Sequence, residues 1–188
     1  MLPAKIEIYD PRFYDFVDSN LHIEELFDQA IWAEGPVWLA EENAVIFSDV
    51  KGNTMYRWTA NEGTQIFRSP SYFANGNSVD AMGNLITCEH EMRGISLTDK
   101  QGHRRLLVDK LEQKQLNSPN DVVVKSDGTI WFTDPPYGIL SDAEGKKPPV
   151  KSSAVMFIAM TQPQQRYMWQ AFMLCAQMVW PFLPMNRN

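Results

Sequence analysis

What most constrains this chain is a repeat. One segment runs from Gly35-Pro36-Val37-Trp38 to Ala44-Val45-Ile46-Phe47-Ser48-Asp49. A second runs from Asn77-Ser78-Val79-Asp80 to Gly83-Asn84-Leu85-Ile86-Thr87-Cys88-Glu89. A third runs from Pro119-Asn120-Asp121-Val122-Val123-Val124 to Gly128-Thr129-Ile130-Trp131-Phe132-Thr133-Asp134. In each, a short apolar strand meets a polar or glycine turn, and a β-branched or aromatic strand follows and ends in a carboxylate. The closing carboxylates Asp49, Glu89 and Asp134 are spaced 40 and 45 residues apart. Further strand candidates follow the first two pairs: Thr54 to Trp58 with Gln65 to Phe67, and Gly94 to Leu97 with Arg105 to Val108. Four strands per unit at a period of roughly 40–50 residues is the pattern of propeller blades. A generic antiparallel sandwich is the competing architecture, but its strands need not repeat as units. The fold class is therefore all-β, a partial β-propeller of about three blades. The only helix candidate is a short one between Asp18 and Ala33.

Composition divides the chain. All 23 acidic residues and all 10 glycines precede Met156, while six of the 10 methionines lie from Met156 onward. Residues 1–155 hold 15 basic and 23 acidic side chains; the remainder holds Arg166 and Arg187 alone. We read an N-terminal extension at 1–19, the partial propeller at 20–155, and a non-native tail at 156–188. The net charge of −6 argues against a nucleic-acid partner, which needs basic surface to displace counterions. Cys88 and Cys175 are too few for a disulfide framework. Met1 to Phe13 carries Glu7, Asp10 and Pro11 where a signal peptide would be apolar. A cytoplasmic protein is the expectation.

In a propeller the innermost strand of each blade lines the central channel, and the loops entering those strands gather at one mouth. Glu34 and Asn120 precede the first strands of their units, and Asn75 and Asn77 sit similarly in the second. One carboxylate with several amide oxygens is a hard-oxygen set, suited to Ca²⁺.

Two stretches, Ala33-Glu34-Gly35-Pro36-Val37-Trp38 and Asn117-Ser118-Pro119-Asn120-Asp121, resemble the gluconolactonase / senescence-marker-protein (regucalcin) / luciferin-regenerating-enzyme family. Ser126 to Gly138, Ala74-Asn75-Gly76-Asn77 and Cys88-Glu89-His90 extend the likeness over about residues 20–155, closest to the bacterial gluconolactonase branch. The resemblance implies a six-bladed propeller carrying one divalent cation, usually Ca²⁺, and hydrolysis of a small-molecule sugar lactone to an aldonic acid. It places the metal-binding glutamate on Glu34 and an asparagine that touches metal or substrate on Asn120. Asn77, His90 and Asp134 are the further substrate-binding candidates. The family's third ligand, in a Pro-Asn-Gly-Leu motif, and its general-base Asp, in a later Pro-Asp-Gly motif, have no counterpart in this chain. The cation would polarise the lactone carbonyl, and an activated water would attack. A Gly-x-Ser-x-Gly elbow is absent and not required. Cys88 reads as a small core residue.

The tail has no Gly, Asp, Glu or Lys. Residues 167–186 are uncharged, but Gln170, Gln177, Pro181, Pro184 and Asn186 interrupt them, which argues against a membrane anchor. Reading the last base of each codon with the first two of the next forces Val at Met156-Phe157 and Asp at Met160-Thr161. It forces Gly at Met178-Val179, Ala at Trp180-Pro181 and Glu at Met185-Asn186. Permitted codon choices then give Pro-Asn-Gly-Leu-Ala-Phe-Ser-Pro-Asp-Glu-Ser, which contains the missing family motif. The tail is thus expected to be out of frame. Three functions follow: a lactonase by ancestry that is weakly active or inactive, a non-catalytic propeller fragment or pseudogene product, and a tail-anchored fragment.

Overall fold

The computed structural model describes residues 2–3, 7–17, 22–111, 113–148, 156–161 and 168–172. For 2–3, His22, 156–161 and 168–172 it describes the backbone alone. Strands β1 (Leu2–Pro3) and β2 (His22–Ile23) form a small ladder, with a 3-10 turn at Pro11–Asp15 between them. Three four-stranded antiparallel sheets follow. The first comprises β3 (Ala33–Leu39), β4 (Ala44–Asp49), β5 (Thr54–Thr59) and β6 (Gly63–Arg68). The second comprises β7 (Ala74–Val79), β8 (Leu85–Glu89), β9 (Gly94–Thr98) and β10 (Arg104–Val108). A two-stranded ribbon, β11 (Lys110–Leu111) and β12 (Lys114–Gln115), leads to the third, which holds β13 (Val122–Val124), β14 (Ile130–Asp134), β15 (Met156–Thr161) and β16 (Met168–Phe172). One helical turn, α1 (Tyr137–Leu140), lies between β14 and β15.

Each sheet is an up-and-down meander in chain order, as the repeat requires. The third sheet takes its two outer strands from the tail: β15 pairs with β14 from Met156↔Asp134 to Met160↔Ile130. The anticipated helix between Asp18 and Ala33 is not formed within 22–33, where only the short strand β2 precedes β3. Phe27 from this segment packs on Phe47 and Tyr56 at 5.8 and 4.6 Å between ring centres. Thr64 Oγ1 donates to the Leu26 carbonyl at 3.3 Å. These contacts draw the segment along the open face of the first sheet.

Two cores hold the blades face to face. Ile46, Met55, Ala74 and Leu85 fill the space between sheets one and two. Ile86, Cys88, Ile95, Leu97, Val108, Leu116, Val122, Ile130 and Phe132 fill that between two and three. Each Val, Leu, Ile, Phe or Met side chain buried here contributes about 1.5–3 kcal/mol. Cys88 is part of this core, and burial pushes its thiol pKa up. Turn carboxylates fix the hairpins: Asp80 Oδ1 accepts from the backbone N–H of Met82 and Asn84, and Asp99 Oδ1 from those of Gln101 and His103.

Candidate functional site at the convergence of the inner strands

The innermost strands β3, β7 and β13 come together at one end of the three blades. Two of them carry a bulge there. The β3–β4 register shifts between Glu34 and Val37, and the β7–β8 register shifts between Ala74 and Asn77. A bulge leaves residues out of the ladder and re-aims them, a device common beside active sites. In the third blade, Asn120 N–H donates to the Thr133 carbonyl at 2.9 Å, and Thr133 N–H donates to that of Asp121 at 3.0 Å, ahead of β13 proper.

Glycine allows these backbones to touch. Gly35 lies at φ +56°, and a Cβ there would sit 2.3 Å from the Asn75 carbonyl oxygen. A Cβ on Gly76 would sit 2.6 Å from the Asn120 carbonyl oxygen, which itself accepts the Gly76 N–H at 2.8 Å. The contact runs from Gly35 to Asn75-Gly76 to Asn120, so the structure brings Glu34, Asn75 and Asn120 to neighbouring positions. Glu34 is exposed, and its Oε1 accepts the Trp32 indole N–H at 2.9 Å.

The other expected residues have structural partners. Asn77 Nδ2 faces Gly35 O and Ser48 Oγ, both at 2.9 Å, and Asn75 O at 3.0 Å. Its Oδ1 accepts from Thr87 Oγ1 at 2.8 Å. Asn77 therefore laces the first two blades together with both ends of its amide. Asp134 is buried, and its Oδ2 accepts the Asn117 N–H at 2.8 Å. Its Oδ1 is buried without a partner among the described residues. Burial raises its pKa to about 6, against the pull of the Asn117 and Ser118 N–H groups and of Arg93. Asp49 plays the matching part in the first blade, accepting from Ile31 and Trp32 N–H at 3.0 Å each. The periodic carboxylates of the first and third blades thus brace the chain as it enters each inner strand. Glu89 differs: fully buried, it is clasped by Arg68, Arg104 and Ser96.

His90 is buried behind Asn75. Its Nδ1 lies 2.7 Å from the Glu144 carbonyl oxygen, which can only accept, so Nδ1 carries the proton. Nε2 is then the lone-pair nitrogen, 3.4 Å from Asn75 Nδ2. Desolvation holds its pKa below the ordinary value, which keeps the ring neutral. The partner of this histidine, Glu144, lies in residues 139–148, to which the sequence assigns no role. The available signal was length: β4–β5 and β8–β9 are joined by four residues each, β14–β15 by residues 135–155.

The donor chemistry at the convergence suits a hard cation only in part. Glu34 offers a carboxylate and Asn120 an amide oxygen, but the described residues contain no cluster of three or more His, Cys, Asp or Glu side chains able to hold a metal. A shallow cavity of about 360 Å³ lies at the opposite end of the second blade, lined by Asp80, Asn84, Asp99 and Arg104 among others. It shares no residue with the convergence. Among the described residues no helix is long and apolar enough to cross a membrane.

The family model described as the SMP-30/Gluconolactonase/LRE-like region matches residues 32–167. A gluconolactonase of Zymomonas mobilis subsp. mobilis is 34% identical over 150 residues, covering 72% of this chain and 42% of that protein. A solved gluconolactonase of Xanthomonas campestris is 36% identical with a TM-score of 0.72, covering 77% of this chain and 48% of that one. A calcium-binding regucalcin of Agrobacterium tumefaciens, 12% identical with a TM-score of 0.51 over 74% of this chain and 42% of that one, shares the fold alone. The chain spans about half the length of the relatives it matches.

Proposed function

Because the chain belongs to the SMP-30/gluconolactonase/LRE-like family, we propose that its inner-strand convergence is a site for hydrolysis of a small sugar lactone. The observation that carries this reading is the meeting of Glu34, Asn75 and Asn120 through the Gly35–Asn75 and Gly76–Asn120 backbone contacts. Glu34 and Asn120 would hold a divalent cation, by resemblance Ca²⁺, which when bound polarises a carbonyl oxygen. Asn75 and Asn120 offer amide groups to lactone hydroxyls.

Two oxygen donors are few against the six to eight oxygen ligands Ca²⁺ takes. We therefore read the chain by itself as a weak cation binder and a weakly active or inactive lactonase. The non-catalytic alternative is favoured by one specific observation: Asn77, His90 and Asp134 all hold protein groups. The reading that residues 156–188 are out of frame belongs to the same proposal. Either frame gives a strand-forming stretch from Met156, so the presence of β15 does not select between them. The nucleotide sequence through codons 145–190 decides it: an alternate frame interrupted by stops sinks the idea.

The test of the site is calorimetric titration of the purified chain with Ca²⁺, beside hydrolysis of gluconolactone with and without chelator. Millimolar binding that disappears in Glu34→Gln, with slow chelator-sensitive hydrolysis, is the expected result. Unchanged Ca²⁺ binding in Glu34→Gln overturns the site. Binding without any hydrolysis selects the non-catalytic alternative.

A further inference from the structure

The connection after β14 is where the third blade departs from the repeat. The equivalent turns, Val50–Asn53 and His90–Arg93, are tight. The described part of the third, residues 135–148, instead leaves its own blade and lies over the second. At its root, Ser118 Oγ donates to the Pro135 carbonyl at 2.6 Å and accepts the Gly138 N–H at 2.9 Å. Further along, Lys146 pairs with Glu91 of the second blade. Lys51, in the first blade, lies 3.9 Å from the Glu144 carboxylate. The segment thus straps all three blades at the end where the inner strands converge.

His90 is the pin of this strap. A Cβ on Gly138 would lie 2.4 Å from the imidazole Cγ, and one on Gly145 would lie 3.1 Å from the His90 Cβ. The strap therefore needs Gly138 to close over the ring, and Gly145 to fold back on the Gly138 carbonyl oxygen, 2.1 Å from where a Cβ would sit. The imidazole has one donor and one acceptor in its neutral form, and the structure uses them on opposite sides. Nδ1–H is committed to the strap through the Glu144 carbonyl. Nε2 faces the Asn75 amide nitrogen. A lone-pair nitrogen admits the NH₂ end of an amide and repels its oxygen. The tautomer fixed by the strap thus fixes which way Asn75 points.

We propose that His90 is a positioning residue. It holds the 135–148 strap across the mouth of the site, and through the same ring it orients the Asn75 amide so that Oδ1 is presented to a donor, such as a hydroxyl of a sugar lactone. The inference rests on the reading of the convergence as a lactone site, but its two structural consequences do not need a substrate. Neither consequence follows if His90 merely fills space, because a ring without nitrogens would fill it as well.

The test compares His90→Phe, His90→Gln and Gly138→Ala in the full chain, with circular dichroism and urea midpoints to establish that each folds. Trypsin reports on the strap by cutting between Lys146 and Lys147; the Lys147–Pro148 bond resists it. Losing the Glu144 hydrogen bond should speed that cut about tenfold in His90→Phe, the equivalent of one hydrogen bond. Gly138→Ala should speed it as well, with the histidine intact. Nitrogen-15 NMR should find His90 Nε2 unprotonated and the Asn75 side-chain amide signals displaced in His90→Phe. His90→Gln, which again offers a donor nitrogen and an acceptor atom, should restore both towards wild type. A protonated Nε2, or a folded His90→Phe with wild-type cleavage and unmoved Asn75 signals, overturns the proposal. If strap and amide respond but gluconolactone at millimolar concentration perturbs neither, the positioning role stands and the lactone reading falls.

Discussion

Gly35, Gly76 and Gly102 separate two physical costs that act together at the site. Gly102 lies in an open turn at φ +84° with nothing within 4 Å of a built Cβ, so Gly102→Ala tests backbone conformation alone. A left-handed alanine costs roughly 1–2 kcal/mol. For Gly76 no positive φ is involved, but its Cβ would meet the Asn120 carbonyl oxygen at 2.6 Å and the Asp121 Cα at 2.7 Å. Gly76→Ala therefore tests contact alone, and overpacking of this kind costs about 1–3 kcal/mol. Gly35 combines φ +56° with an approach of 2.3 Å to the Asn75 carbonyl oxygen. If the two costs add, Gly35→Ala loses about 2–5 kcal/mol. The approach is backbone to backbone, so no side chain can swing aside to relieve it. Urea unfolding followed by tryptophan fluorescence measures all three variants, and heating gives a second reading of about 2–4 °C per kcal/mol. The order Gly35 worst, with Gly102 mildest or level with Gly76, is the expected result. Equal losses at Gly35 and Gly102 would refute the claim that β3 and β7 touch at this point. The grouping of Glu34 with Asn75 would fall with it.

Two further variants probe the buried carboxylates. Because burial raises the Asp134 pKa from 3.8 to about 6, the native state holds the proton more tightly than the unfolded chain does. Stability should therefore fall as pH rises from about 4 to about 6, by about 3 kcal/mol in all. Subtracting the pH–stability profile of Asp134→Asn should isolate that slope, and parallel profiles would contradict it. Glu89 faces Arg68 and Arg104 with no exposure of its own. Removing one member of a buried pair costs about 3–5 kcal/mol; both arginines keep partial contact with solvent, so Glu89→Gln should fall near the lower figure. A loss under about 1 kcal/mol in chemical denaturation would show the clasp to be dispensable.

Several elements of the fold are set by local sequence. The apolar and β-branched runs in Ala44 to Phe47 and Leu85 to Cys88 identify strands, and the Asp-led turns at Asp80 and Asp99 identify their hairpins. Their recurrence every 40 to 45 residues marks the sheets as like units. The acidic or amide residues near the start of each inner strand could be picked out for the same reason, since position within a repeat is a local property, although Glu34, Asn75 and Asn77 lie inside β3 and β7 and Asn120 alone precedes its strand. Glu34 and Asn120 were legible in this sense. The helix anticipated between Asp18 and Ala33 failed because nothing local signals that Phe27 has an aromatic face waiting on Phe47 and Tyr56.

The roles of Asn77, Asp134 and His90 were not legible in that way. From sequence each is a polar residue at a strand end, and any of them could face a pocket. Asn77 is tied to Gly35, 42 residues away, Asp134 to Asn117 at 17, and His90 to Glu144 at 54. A hydrogen bond has no sequence period, and its partner is chosen by how one blade stacks on the next. Sequence by itself determined the strands, their grouping into blades and the chemical type of polar residue near the start of each inner strand, because these follow from runs of β-forming residues and turn chemistry within a few residues. Tertiary structure alone decided which of those polar groups face outward and which are spent on protein partners, because that depends on glycine-permitted contacts between backbones far apart in the chain.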